Sequence, residues 1–111
     1  MSYYEQYRHE LFTGFNLLQN SDMHAFAMES FRPKYEIASI RLTKDEFALL
    51  KPYFLYGLVL ASLGLNNKAD AIKYANDLKS CGFNFYQKVN PLITNGYNNY
   101  DIARLANDET N

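Results

Sequence analysis

The stretch Tyr53–Gly82, YFLYGLVLASLGLNNKADAIKYANDLKSCG, decides how the rest of the 111-residue sequence is read. Gly57 and Gly64 stand seven apart in an otherwise helix-forming run, and Ala69, Ala71 and Ala75 follow a polar break at Asn66-Asn67. Glycine inside a helix costs about 1 kcal/mol relative to alanine, so Gly57 needs a compensating contact. The expected contact is a helix crossing. The run up to Leu65 turns back as a second helix, Ala69–Ser80, and its small residues meet Gly57 where the two axes come close. Gly64 and Gly82 stand where left-handed helix C-caps are wanted. The stretch predicts an antiparallel helical hairpin.

Helical signals continue on both sides. Ser2–Glu5, SYYE, has capping-box form, and Tyr4, Tyr7, Leu11, Phe15 and Leu18 follow at helical spacing. Ser21 or Asp22 can cap a second helix from Met23 to about Phe31, which Pro33 is expected to end. Lys34–Leu42 stays open between helix, strand and irregular connector, although a lone strand would find no partner in this chain. Thr43 and Glu46 form a second capping box, and Pro52 is expected to split the following segment by taking the first position of a new helix. An interrupted apolar run, Phe83 to Ile93, leads through a turn at Asn95-Gly96 to a short last helix near Tyr100–Ala106. The expected fold is all-α, one domain over residues 1–111. It comprises hairpins at about 3–31 and 52–80, with C-terminal capping helices at 83–106.

Composition narrows the function classes. The net charge is −1 and Lys and Arg are scattered singly, which does not suit a nucleic-acid footprint. The longest apolar run, Phe54 to Leu65, is about half of the ~20 residues a membrane span needs. A polar N-terminus and a single cysteine, Cys81, give cytoplasmic localisation as the expectation. Ten Tyr and eight Phe with no Trp are consistent with an AT-rich gene, and equally with rigid aromatic anchors that grip a partner.

The sequence offers little reactive chemistry. His9 and His24 fall on different expected helices, and His9-Glu10 lacks the second histidine of a zinc helix. Cys81 has no neighbouring cysteine and no base placed beside it. Asp45-Glu46 and Asp108-Glu109 fit capping and solubility roles, and no glycine-rich phosphate loop is present. No catalytic residue, metal or cofactor is expected.

Gly57, Leu60, Gly64 and Ala69 resemble the pattern of the tetratricopeptide repeat, a unit of about 34 residues built as helix–turn–helix. The aromatic after the turn is absent, with Asn66 in its place, and no proline closes the unit. A degenerate echo runs from Leu11 to Phe31, with Gly14 at the mid-helix position and Ser21 seven later. Among such proteins the chain is most similar to small type III secretion chaperones of the needle-subunit kind, whose turn the stretch SLGLNN, Ser62–Asn67, resembles. The resemblance implies a cytoplasmic chaperone that holds a self-assembling or secreted subunit in a groove lined by the first helix of each hairpin. Carried onto this sequence, the groove residues are Tyr7, Phe12, Asn16, Tyr53, Tyr56 and Leu60. The partner would be a protein or peptide, with a second small chaperone or homo-oligomerisation left open. The alternative is a small regulatory protein, of phage or plasmid type, that docks on a larger enzyme.

Overall fold

A computed structural model describes residues 1–111 as six helices and no strand. They are α1 (Tyr3–Leu17), α2 (His24–Arg41), α3 (Lys44–Gly64), α4 (Lys68–Cys81), α5 (Phe83–Asn95) and α6 (Asn99–Asn107). The all-α hairpin fold expected from the sequence is present. Successive helices α1 to α5 pack side by side, α1 and α5 also touch α3, and α6 lies across α1 and α3.

The helix starts follow local chemistry. Ser2 Oγ accepts from the Glu5 N–H at 3.2 Å, while the reciprocal Glu5 contact is not made. Thr43 and Glu46 complete both halves of their capping box. Asn67 caps α4, and Asn98 with Asp101 makes a further capping box at the start of α6.

Two prolines lie inside helices where the sequence suggested breaks. α2 continues through Pro33 to Arg41, so Lys34–Leu42 is mostly helix, and α3 continues through Pro52 as a single 21-residue helix. A helix-interior proline removes one hydrogen bond and crowds the preceding turn, a cost that other contacts can offset. Burial outweighs that cost here. Beyond Pro33, the residues Tyr35, Ala38 and Leu42 continue the inward stripe begun by His24 and Phe31. Beyond Pro52, every residue from Phe54 to Leu63 is buried. A helix apolar on all sides belongs in the centre of a fold. By length and composition α3 would also pass for a membrane span, but here its apolar surface is taken up by the other five helices.

The glycines do different work from that expected. The partner of Gly57 is the ring of Phe31 on α2, not α4: a Cβ on Gly57 would stand 2.5 Å from Phe31 Cζ. A Cβ on Gly14 of α1 would stand 2.5 Å from the same atom. One fully buried ring therefore sits between two glycines on neighbouring helices. α4 reaches α3 through Ala71, Ala75 and Leu78, all buried, while Ala69 is exposed. Gly64 and Gly82 are not left-handed; Asn66, with φ 58°, is the residue that takes that conformation after α3. Gly64 instead makes room for His24, whose Cγ would lie 2.6 Å from an added Cβ.

The continuity of α2 is testable. Replacing Pro33 by alanine restores a backbone donor in mid-helix and should raise stability by about 1–3 kcal/mol in urea unfolding. If the helix ended at Phe31, the same change would leave stability unaltered or lower it.

Candidate functional site

A row of aromatic rings leads from the core to the surface. Phe31 meets Phe15 edge-on at 5.2 Å, Phe15 meets Tyr56 at 5.9 Å, and Tyr56 stacks on Phe85 at 4.3 Å with the planes 10° apart. Tyr53 then packs edge-on against Phe85 at 5.2 Å. These rings come from α1, α2, α3 and α5, so the row ties the hairpins together on the face where their first helices meet.

On that face α6 closes one end of the trough between α1 and α3. Ile102, Leu105 and Ala106 are its buried residues. Two side-chain contacts tether it: Gln19 Nε2 at the end of α1 donates to Thr110 Oγ1 at 3.1 Å, and the Tyr97 hydroxyl donates to the Leu63 carbonyl at the end of α3. Partial burial pushes the Glu109 carboxyl above its ordinary range, with Lys88 acting against the shift and Asp108 adding to it.

The other end of the trough is open. It forms a depression of about 660 Å³ walled by Tyr4, Arg8, Phe12, Leu49 and Tyr53, with Glu109 where α6 ends. Phe12 is 47% exposed, Leu49 61% and Tyr53 40%, so three large apolar side chains face solvent around one cavity. Polar groups from α1, Glu5, Arg8 and His9, rim it.

The six residues predicted for the groove divide evenly. Phe12 and Tyr53 wall the open trough, and Asn16 is exposed one turn further along α1. Tyr7, Tyr56 and Leu60 are buried and belong to the core rather than to a groove wall. Tyr7 packs edge-on to Phe54, and Tyr56 lies between Phe15 and Phe85. Burial, then the carboxylates of Glu109 and Asp108, push the Tyr56 phenol up, and its hydroxyl has no hydrogen-bond partner. Rings of neighbouring helices cover Tyr7 and Tyr56, and Tyr56 also feels Glu109 and Asp108 at the end of α6. Leu49 and Arg8 are wall residues that the sequence reading missed, although each stands four before a predicted one, Tyr53 and Phe12, on the same helical face.

Reactive side chains are dispersed. His9 rims the trough, His24 is buried against Gly64, and Cys81 lies at the end of α4 in a separate depression with Pro52 and Phe83. Burial pushes the Cys81 thiol up, against the opposing charge of Lys51, which is contrary to what an activated nucleophile needs. No group of three or more His, Cys, Asp or Glu side chains is placed to hold a metal. Comparison with protein-family models, with curated proteins and with solved structures gives no match.

The placement of Tyr56 predicts a specific outcome. A buried hydroxyl without a partner costs roughly 1–3 kcal/mol of desolvation, so Tyr56→Phe should leave stability unchanged or raise it. A loss above about 1 kcal/mol in chemical unfolding would mean that the hydroxyl makes a bond in solution.

Proposed function

We propose that the protein is a non-catalytic binding module that receives a helical segment of a partner protein in the open end of the α1/α3 trough. The observation that carries this reading is α6: the trough accepts a helix of the same chain, seated by the buried ridge Ile102, Leu105 and Ala106. Beyond Glu109 the trough continues with Phe12, Leu49 and Tyr53 unoccupied by any other element. Tyr and Phe suit such a wall because they offer large rigid area with little side-chain entropy to lose. Arg8 and Glu109 at the edge give an incoming helix one contact of each sign.

Within that class, the resemblance in Ser62–Asn67 favours a chaperone that keeps a self-assembling subunit soluble in the cytoplasm. The physical logic is exchange of interfaces: an amphipathic helix that would otherwise polymerise buries its apolar face in the trough instead.

Co-expression with the products of the neighbouring genes tests the reading. A soluble complex should copurify, and Leu49→Asp and Tyr53→Asp should each abolish it. Leu49 is 61% exposed, so the thermal transition of free Leu49→Asp should stay within a few degrees of the parent, whereas Tyr53→Asp also removes the packing on Phe85 and should lower it. A complex that survives both substitutions would place the partner on another surface.

A further inference from the structure

The outer face of α2 carries a second apolar surface, distinct from the trough. Phe26, Pro33, Ile37 and Ile40, with the polar Ser30 between the first two, recur at alternating spacings of four and three, the pattern of a helix that pairs with another helix, Ser30 and Pro33 being half-buried. They lie opposite the stripe through which α2 meets the core, formed by Ala27, Phe31, Ala38 and Leu42. Phe26 is 62% exposed, Ile37 39% and Ile40 83%. Isolated apolar residues on a surface need no explanation, but an aligned row of them does.

The charges beside this row are sorted by sign. Glu29 and Glu36 flank one side, and Lys34 and Arg41 flank the other. We infer that the row pairs with the same row on a second copy of the chain, the two α2 helices running parallel about a two-fold axis. In that arrangement Glu29 of one copy meets Lys34 of the other, and Glu36 meets Arg41, on both sides of the seam. Antiparallel pairing would instead set glutamates against glutamates and basic residues against basic residues. Charge pattern therefore selects both the occupant and its direction.

Within one copy, Lys34 reaches Glu10 at 3.7 Å and Arg41 lies over the Tyr3 ring at 5.2 Å. Exposed contacts of this kind contribute little, so both side chains are free to turn toward a partner. A net charge of −1 sets up little repulsion between copies. The row is about 21 Å long by helix rise, shorter than a standard interface requires, so the dimer exchanges with monomer at micromolar concentrations.

Sedimentation equilibrium of the full chain, from low micromolar to near-millimolar concentration, tests this. The weight-average mass should climb from 12.9 kDa toward twice that value. Ile37→Glu and Ile40→Glu should hold the protein monomeric throughout, with unchanged helical circular dichroism because both side chains are exposed. Glu36→Lys should weaken the dimer at least tenfold, because the new ammonium group faces the Arg41 guanidinium of the other copy, and adding Arg41→Glu should restore it. Three results would overturn the inference: a monomer at every concentration, self-association indifferent to Ile37→Glu and Ile40→Glu, or a dimer that Glu36→Lys tightens, as antiparallel pairing requires.

Discussion

The fold depends on one ring held between two helices. Phe31 of α2 is fully buried, and the space it occupies exists because Gly14 of α1 and Gly57 of α3 carry no side chain. Each glycine gives up about 1 kcal/mol of helix propensity, while a buried phenylalanine is worth about 3–5 kcal/mol by truncation. The exchange is favourable, and it sets the spacing of α1, α2 and α3 at the same time. Phe15 closes the remaining side edge-on, which starts the aromatic row that runs on through Tyr56 and Phe85 to Tyr53. The row links that anchor in the core to the wall of the trough.

Around this anchor α3 serves as the central helix, buried on all sides from Phe54 to Leu63. α2 and α4 pack against it, and α6 adds to the cover by lying over α1 and α3. Past the end of α6 the cover stops, and Phe12, Leu49 and Tyr53 stay exposed around an open apolar trough. The two exposed apolar surfaces, the trough and the outer row of α2, lie on different helix faces, so occupancy of one leaves the other free.

The sequence made the helices and most of their starts legible where caps are local: Ser2 and Thr43 each act within three residues of themselves. Neither Ser21 nor Asp22 caps α2, which starts after Met23 without a side-chain cap, and the sequence reading missed the caps Asn67 and Asn98. It also marked Gly57 as a place of close contact, but not the identity of the contact. The choice between α4 and Phe31 depends on how three helices stack, and spacing along one helix does not encode that. Pro33 and Pro52 misled for a related reason: their local cost is visible in the sequence, while the burial of Tyr35, Ala38 and the Phe54–Leu63 run that offsets it is a tertiary quantity. The groove residues divided along the same line. Phe12 and Tyr53 lie beyond the reach of α6, whereas Tyr56 lies close to its C-terminal end and is buried. Nothing within α3 itself distinguishes Tyr53 from Tyr56.

The central claim is that Gly57 and Phe31 are coupled, and a double-mutant cycle of Gly57→Ala with Phe31→Leu, followed by urea unfolding, tests it most directly. In the parent background, Gly57→Ala should destabilise by about 1–3 kcal/mol through overpacking, despite the helix propensity that alanine adds. With Phe31→Leu in place, the same change should cost nothing or stabilise, giving a coupling above about 1 kcal/mol. Equal effects of Gly57→Ala in both backgrounds would contradict the account, because Phe31 would then not be what the glycine makes room for.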